Sequence, residues 1–253
     1  MMRLPDLQWI IPDWPAPASV VARSTLRCSG GVSLPPYDDF NLGAHVGDSP
    51  AHVHLNRQRL AAALGLTPES IHWLNQVHGR CVLHAEAEPS HLQPPEADAA
   101  YATSASQVCL VMTADCLPVL LCDDQGSWVA AAHAGWRGLA AGVLEATCAA
   151  YGGSGHLMAW LGPAISGAAF EVGEEVRAQY LALSPQLAAC FLPADRAGKW
   201  YLDLYAAARQ RLALAGIKSV YGGAYCTFLD ARRFFSYRRD GVTGRMASLI
   251  YLK

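Results

Sequence analysis

The sequence predicts a mixed α/β fold in which a largely antiparallel sheet carries flanking helices. Apolar strand-like runs outnumber helical segments, and the two kinds are mixed along the chain. Hairpin-type links between the runs favour antiparallel pairing. No Gly-x-Gly-x-x-Gly motif follows a strand and no Walker A sequence is present, which disfavours a dinucleotide-binding or P-loop fold. Without a repeat or a linker-like segment, residues 1–253 are expected to form a single domain.

The first helix has the clearest boundaries. Asp48 or Ser49 suits the N-cap, Pro50 fits the first helical position, and Gly65 follows Leu64 at the predicted C-terminus. Further helices are predicted over residues 139–151, 171–183 and 202–215, because their apolar residues recur at helical spacing.

Strands are predicted where aromatic and β-branched residues concentrate. Residues 72–84 have this composition, with a bend expected at Gly79. Residues 113–122 and 128–133 are apolar runs joined by five turn-forming residues, which predicts a hairpin. The remaining predicted strands cover residues 157–161, 219–226 and 247–252.

Composition and charge favour a soluble, cytoplasmic protein that binds a small molecule. Charged residues make up 16% of the chain, below the roughly 25% typical of soluble domains, so a large buried core is expected. The net charge of −2 provides no general attraction for nucleic acid or anionic lipid. The longest apolar stretch, residues 108–122, is too short to span a membrane. Asp and Pro interrupt the N-terminal segment before an apolar run reaches signal-peptide length.

The eight cysteines are expected to be free thiols. None forms a Cys-x-x-Cys pair, and most lie in apolar stretches where a thiol packs as a small hydrophobic group. A cysteine that binds a metal must therefore join ligands from distant parts of the chain.

Three segments place a potential metal ligand beside turn-forming residues or at a strand end. They contain His78, Cys116 and His133, which are separated by 38 and 17 residues. Zinc binds imidazole and thiolate, and three protein ligands with a fourth position open to water are typical of a catalytic site. The predicted hairpin would bring Cys116 close to His133. Composition alone leaves packing or hydrogen bonding as the alternative role for each residue.

Six motifs resemble the YfiH/LACC1 family, long labelled multicopper polyphenol oxidase or laccase. The resemblance covers nearly the whole chain, and the motifs follow the order found in the family. They are Asn-Leu-Gly-x-His-Val-Gly-Asp at 41–48, Asn-Gln-Val-His-Gly at 75–79, Thr-Ala-Asp-Cys-Leu-Pro-Val-Leu at 113–120, His-Ala-Gly-Trp-Arg-Gly at 133–138, Leu-Gly-Pro-Ala-Ile at 161–165 and Phe-Ser-Tyr-Arg-Arg-Asp-Gly-x-Thr-Gly-Arg at 235–245.

The resemblance implies a zinc-dependent enzyme for purine nucleosides in a family-specific single α/β domain. It places His78, Cys116 and His133 at the zinc positions, where they also serve as catalytic residues. The implied activities are purine nucleoside phosphorylase, adenosine deaminase and methylthioadenosine phosphorylase. Zinc lowers the pKa of bound water to about 7, which would supply hydroxide for deamination. The expected partners are a purine nucleoside and phosphate, and the expected state is a monomer or small homo-oligomer.

Phosphorolysis also requires cationic groups that hold phosphate. Arg137, Arg238 and Arg245 are candidates because a guanidinium binds phosphate through two hydrogen bonds, and a surface ion pair is the alternative for each. Six further side chains have less specific expectations. Asn41, Gln76 and Ser236 are candidates for hydrogen bonds to ribose or base, with structural bonding in turns or at strand ends as the alternative. Asp115 is a candidate for orienting a ligand imidazole or for a structural role, and Trp136 and Phe235 for stacking on a base or for core packing.

Three alternatives stay open at this point. The family label implies a copper polyphenol oxidase, but a multicopper site needs many closely spaced histidines, and only His52 and His54 alternate, on a predicted helix. A cytoplasmic hydrolase that edits peptidoglycan precursors would use the same zinc chemistry. A non-enzymatic binding module with a structural metal would need a fourth ligand such as Cys226.

Overall fold

Two β-sheets stacked face to face form the centre of the molecule, and helices cover both outer faces. The computed structural model describes residues 7–87 and 93–253. The six N-terminal residues, which belong to the segment considered as an export signal, lie outside it. The largely antiparallel α/β fold expected from the sequence is confirmed, although the strands divide among three sheets.

Helices and strands follow one another in an irregular order along the chain, as expected for a mixed α/β fold. The strands are β1 (Trp9–Ile10), β2 (Val20–Thr25), β3 (Ile71–His72), β4 (Val82–His84), β5 (Ala99–Ala102), β6 (Val108–Thr113), β7 (Leu117–Asp123), β8 (Val129–Ala134), β9 (Leu157–Leu161), β10 (Glu171–Gly173), β11 (Phe191–Pro193), β12 (Lys199–Leu202), β13 (Ser219–Gly222) and β14 (Met246–Leu252). The α-helices are α1 (Pro50–Leu64), α2 (Trp136–Ala141), α3 (Val143–Ala149), α4 (Glu174–Leu183), α5 (Leu204–Leu214) and α6 (Tyr237–Asp240).

The five-stranded sheet has the order β1-β2-β14-β6-β3, and the six-stranded sheet has the order β13-β9-β7-β8-β5-β4. A small sheet, β10-β12-β11, has no strand paired with either, and its residues Val172, Phe191 and Leu202 pack into the core cluster on one face of the six-stranded sheet. Among the paired strands, only β13 with β9, β3 with β6, and β4 with β5 run parallel within the part of the chain that the structure describes.

Alternating side chains of β7 show how the layers pack. Leu117, Val119 and Leu121 share a buried cluster with residues of α2, α3, α4 and α5. Leu120 and Cys122 point the other way and share a cluster with residues of β6 and β14. Both faces of β7 are thus buried, which explains why its sequence is continuously apolar. On the far side of the five-stranded sheet, α1 covers a third cluster.

Several boundaries differ from the sequence-based predictions. Residues 72–84 contain only the last residue of β3 and the short strand β4, because a loop that contains His78 separates the two strands. The helix predicted over 139–151 is two helices, α2 and α3, because Gly142 adopts a φ of 93° between them. The helices predicted at 171–183 and 202–215 begin later than expected, at Glu174 and Leu204, because residues 171–173 and residue 202 belong to strands. By contrast, α1 begins at Pro50 and ends before Gly65 as predicted.

No helix in the described ranges is long and apolar enough to cross a membrane. All eight cysteines are free, as expected.

Candidate metal centre and cleft

The backbone brings three distant segments to one end of the β7–β8 hairpin. Cys116 immediately precedes β7, whose first residue Leu117 pairs with Ala134 at the end of β8. His133 is therefore next to that pair, as the predicted hairpin required. His78 reaches the same point from the loop between β3 and β4.

The three side chains form a group that could hold one metal ion. Their ligand atoms all lie within 4.8 Å of one another, and Cys116 Sγ is 3.8 Å from His78 Nε2. Zinc–sulfur and zinc–nitrogen bonds of about 2.3 and 2.0 Å in tetrahedral geometry separate the two ligand atoms by roughly 3.5 Å. Two imidazoles and one thiol thus fit zinc in chemical type and in spacing.

Asp98 orients the histidine ligands, a role that the sequence analysis had considered for Asp115. Its Oδ1 lies 2.8 Å from His133 Nδ1, so the other ring nitrogen, Nε2, is the one free to bind a metal. The same carboxylate accepts hydrogen bonds from the backbone N–H groups of His78 and Gly79, at 2.9 and 2.6 Å. Asp98 is completely buried and precedes β5, which pairs with β8. Asp115 takes the structural alternative that the sequence left open for it.

Asp115 instead ties the centre to the C-terminal part of the chain. Its Oδ1 accepts from Thr227 Oγ1 at 2.6 Å, and its Oδ2 accepts from the backbone N–H of Arg238 at 2.7 Å. Asp115 and His78 both have positive φ angles, 101° and 60°. Such backbone conformations are costly for residues other than glycine and are concentrated at functional sites.

The electrostatic environment favours a thiolate at Cys116. Burial raises the pKa of this thiol, but His133 and His78 outweigh burial and lower the pKa to about 6. Burial lowers the pKa of His133, whereas Cys116 and Asp98 raise it to about 9. Burial raises the pKa of Asp98, while hydrogen bonds from His133, Gly79 and His78 bring it below its usual range. The groups around His133 therefore stabilise positive charge, which a metal ion would also provide.

Gly135 leaves the space that the ligand side chains occupy. A Cβ atom at this position would lie 2.8 Å from Cys116 Sγ and 3.1 Å from His78 Cδ2. Because these contacts are shorter than side chains normally make, any larger residue would displace the ligand group.

A cleft with two lobes opens from the group. The mainly apolar lobe, called the apolar lobe below, has a volume of about 250 Å³ and is lined by Trp136, Ile165, Phe170 and Leu204 besides His78 and Cys116. Asp115, Arg137 and Arg238 are its charged lining residues. The polar lobe, of about 390 Å³, is lined by His45, Gln76, Arg137, Tyr237 and Arg245 besides the three ligands. Arg137 and Tyr237 line both lobes. The candidate ligands thus stand where an apolar pocket and a cationic pocket meet.

The predicted substrate-binding residues divide into two groups. Arg137, Gln76, Arg238 and Arg245 line the cleft. Gln76 uses both ends of its amide on the backbone of Met112, and Arg238 Nη1 donates to the backbone carbonyl of Glu171 at 2.8 Å. Trp136 lines the apolar lobe, as a base-stacking residue would.

The second group lies in the protein interior. Asn41 and Ser236 are fully buried, so neither reaches the cleft surface. Asn41 Oδ1 accepts from the backbone N–H groups of Gly43 and Arg245, and Ser236 Oγ caps α6 by accepting from Arg239. Phe235 is also completely buried and packs between the two sheets. These positions support the loops around the cleft, which is the structural alternative that the sequence left open for them.

Sequence reasoning missed Asp98, His45 and Tyr237 as functional candidates. His45 and Tyr237 lie inside two of the motifs, so the motifs contained a usable indication. Asp98 lies in none of them and becomes visible only through the pairing of β5 with β8. Cys226 is not part of the candidate ligand group. Its sulfur accepts hydrogen bonds from Ser166, and both residues line another cavity. Across residues 7–87 and 93–253, His78, Cys116 and His133 are the one group found that could hold a metal ion.

The fold and the site together define the class of protein: a mixed α/β protein with one open His-Cys-His group. A family model described as multi-copper polyphenol oxidoreductase laccase matches residues 22–253. The chain belongs to this family, and the resemblance seen in the motifs is confirmed.

Relatives of high sequence identity are named for another activity. Purine nucleoside phosphorylase YfiH of Escherichia coli K12 is 52% identical over 244 residues, which cover 96% of this chain and 98% of that protein. A purine nucleoside phosphorylase of Pseudomonas aeruginosa is 52% identical over 246 residues, covering 97% and 98%.

Solved structures share the whole fold. A crystal structure of a Neisseria meningitidis protein has a TM-score of 0.91 at 48% identity and covers 97% of this chain and 99% of that chain. A structure of a Bacillus licheniformis protein named YfiH has a TM-score of 0.89 at 30% identity, with coverage of 99% and 98%.

Proposed function

We propose that the protein is a zinc-dependent purine nucleoside phosphorylase, with adenosine deaminase and methylthioadenosine phosphorylase as further activities of the same cleft. The observation that carries the proposal is the position of the His-Cys-His group between an apolar and a cationic lobe. The names of the E. coli and P. aeruginosa relatives, each about half identical over nearly the full chain, support the substrate class.

His78, Cys116 and His133 would hold the zinc ion, with Asp98 fixing the orientation of His133. When bound, zinc supplies Lewis-acid chemistry at the junction of the two lobes. Three protein ligands leave a coordination position open, which is the arrangement of catalytic rather than structural zinc sites. The absence of Cys226 from the group disfavours the binding-module alternative.

In phosphorolysis, a phosphate oxygen forms a bond to ribose C1′ while the bond from C1′ to the purine nitrogen breaks. The electron pair of the broken bond leaves with the purine, and the proton carried by phosphate ends on the released base. The residues of the cleft must hold phosphate against C1′ and bind the flat, largely apolar purine. Arg137 and Arg245 provide cationic groups for the first task, and Trp136 and Phe170 provide aromatic surface for the second.

The proposed deamination uses the same base-binding surface with water in place of phosphate. Water oxygen bonds to the amino-bearing carbon of adenine while the bond from that carbon to the amino nitrogen breaks. One water proton leaves with the amino group as ammonia, and the other ends on the neighbouring ring nitrogen of the product. Methylthioadenosine differs from adenosine only at the ribose 5′ position, so its phosphorolysis breaks the same type of bond. We expect the enzyme to act on small molecules in the cytoplasm, without nucleic acid or membrane partners.

The test is to measure bound metal and to incubate the holoenzyme with inosine, with and without phosphate. We expect about one zinc per chain and release of hypoxanthine only when phosphate is present. Adenosine without phosphate should yield inosine. Cys116→Ser should lose metal and turnover, whereas Cys28→Ser, which replaces an exposed thiol outside the cleft, should retain both. Hypoxanthine release that is independent of phosphate would refute phosphorolysis.

The same assay addresses the two enzymatic alternatives. A copper polyphenol oxidase would oxidise a phenol with oxygen and would contain copper instead of zinc. The described residues offer one ligand group, whereas a multicopper enzyme needs several copper ions. A peptidoglycan-precursor hydrolase would use the zinc site to cleave an amide and would be insensitive to phosphate.

A further inference from the structure

We propose that His45, Thr243 and Arg245 form the subsite for inorganic phosphate, so that the nucleoside base occupies the apolar lobe and phosphate the polar lobe. This inference rests on the proposed phosphorolysis and adds the orientation of the two substrates. It also separates Arg245 from Arg238, which the sequence had grouped together as phosphate ligands.

The charge of the polar lobe selects for an anion. Its lining includes the guanidinium groups of Arg137 and Arg245 and contains no carboxylate, whereas Asp115 lines the apolar lobe. The other titratable groups of the polar lobe are Tyr237, the three candidate metal ligands and His45, an N–H donor whose pKa is lowered by burial and by nearby Arg245. The chain as a whole has more acidic than basic residues, 21 against 19, so a cationic pocket is not a consequence of composition. An adjoining hollow of about 450 Å³ shares His45, Tyr237 and Arg245 with the lobe and is also lined without a carboxylate. An anion of phosphate size is therefore the ligand that this pocket fits.

Arg245 has donors to spare. Its Nη1 donates to the carbonyl oxygens of Thr243 and Gly244 at 3.0 and 2.9 Å, while Nε and Nη2 have no hydrogen-bond partner among the described residues. The pattern differs from that of Arg239, whose Nε and Nη2 both donate to the carboxylate of Asp240. A guanidinium with two adjacent free donors matches two phosphate oxygens.

Thr243 supplies a second, independent observation. The residue is 2% exposed and lines the hollow next to the polar lobe, and its Oγ1 is buried with no hydrogen-bond partner in the part of the chain that the structure describes. Buried hydroxyl groups nearly always have a partner in folded proteins. A bound anion, or water that it orders, would satisfy this hydroxyl.

The two loops that carry these groups are fastened to each other. Asn41 Oδ1 accepts from the backbone N–H of Arg245 at 2.9 Å, and the backbone N–H of Leu42 donates to the carbonyl of Arg245 at 3.2 Å. Arg57 then holds the carbonyl of Leu42 with two hydrogen bonds and stacks on Trp73. Arg245 is thus positioned before any ligand arrives, which lowers the entropic cost of binding, and His45 follows three residues after the fixed Leu42.

Arg238 belongs to the other lobe. Its guanidinium donates to the carbonyl of Glu171 and lies 5.0 Å from the centre of the Phe170 ring. It therefore forms part of the wall beside Trp136 and Leu204, where a base would stack. The two lobes meet at His78 and Cys116, so the bond between base and ribose would lie near the metal ligands.

Steady-state kinetics of the holoenzyme with inosine and phosphate test the subsite. Arg245→Gln should raise the KM for phosphate about 10- to 100-fold, because it removes a charged hydrogen-bonding partner, and should change the KM for inosine less than about twofold. Thr243→Val, which keeps the shape and removes the hydroxyl, should raise the phosphate KM in the same direction. Arg232→Gln removes the same charge from an exposed position outside the cleft and should change neither value. Trp136→Ala should raise the inosine KM alone.

A rise in the inosine KM with an unchanged phosphate KM in Arg245→Gln would overturn the proposed orientation. If the wild-type holoenzyme does not phosphorolyse inosine at all, the proposed function fails, and calorimetric titration with inorganic phosphate then tests the subsite by itself. We expect phosphate binding to the wild type and at least about 10-fold weaker binding to Arg245→Gln. Equal binding to both proteins, or no binding to the wild type, would overturn the subsite.

Discussion

At the scale of single residues, Asp98 holds the candidate metal centre together. One buried carboxylate accepts hydrogen bonds from the ring of His133 and from the backbone beside His78, so two of the three ligands depend on it. Its ionised form is stabilised by these donors, which lower its pKa even though burial opposes ionisation. Removing the charge would therefore loosen both ligands.

We predict that Asp98→Asn weakens metal affinity about 10- to 100-fold, as loss of such an orienting group typically does. Competition with a chromogenic chelator measures this, and Asp13→Asn, at an exposed site, is the matched control. The variant should also be less stable by at least about 1 kcal/mol near neutral pH. Because folding lowers the pKa of Asp98, the stabilisation from its charge is present above about pH 4 and is lost as the pH falls through the folded pKa. The difference in unfolding free energy between the wild type and Asp98→Asn should therefore narrow in acid. Unchanged metal affinity would show that His133 needs no orienting group.

The sequence predicted the ligand residues better than the residues that support them. Residue types and motifs indicated His78, Cys116 and His133, and the structure brings these three together. Asp98 could not be predicted because its role depends on the register of β5 against β8. The role of Asn41 stayed open because a polar residue in a loop has the same sequence pattern whether it binds a ligand or the backbone.

At the scale of elements, the turn between β8 and α2 sets the space for the ligands. Gly135 lies directly after β8 and precedes the first residue of α2, against the side chains of Cys116 and His78. No side chain fits between the strand end and the ligands, so the glycine is required by close approach rather than by its φ of −59°.

We predict that Gly135→Ala lowers metal occupancy at least about 10-fold while the domain still folds, because its Cβ would displace Cys116 Sγ. Metal analysis and circular dichroism measure the two effects. Gly152→Ala is the control, since a Cβ at that position has no neighbour within 4 Å. Full occupancy in Gly135→Ala would mean that the three side chains have freedom that the structure does not indicate.

Elements with strong local boundaries were predicted from sequence, and those fixed by tertiary contacts were not. The helix α1 has Pro50 at its start and Gly65 after its end, and both boundaries were correct. Residues 72–84 have the composition of a strand, yet hydrogen bonds from the backbone of residues 77–79 to Asp98 hold a loop in place there. Tertiary contacts thus overrode the local preference.

At the scale of the whole molecule, the C-terminal strand joins distant parts of the chain. β14 lies between β2 and β6, and its side chains enter the clusters on both faces of the five-stranded sheet. The last motif of the sequence ends beside it, at Arg245, which lines the cleft. Folding of the sheets and assembly of the cleft therefore depend on the same contacts.

From this arrangement we predict one cooperative unfolding transition, in keeping with the single domain expected from the sequence. Calorimetric and van't Hoff enthalpies of the metal-loaded protein should agree. Leu120→Ala, which opens a cavity between the two sheets, should lower the midpoint without splitting the transition, at a cost of about 2–5 kcal/mol. Two separate transitions would instead indicate independent folding units.

X-ray absorption spectroscopy of the bound metal tests the central claim most directly, because it counts ligand types around the ion. We predict one sulfur at about 2.3 Å and two imidazole nitrogens at about 2.0 Å, together with at least one oxygen from water or substrate. In Cys116→Ser the sulfur contribution should disappear. A spectrum without sulfur, or one with four protein ligands, would contradict an open site built from His78, Cys116 and His133.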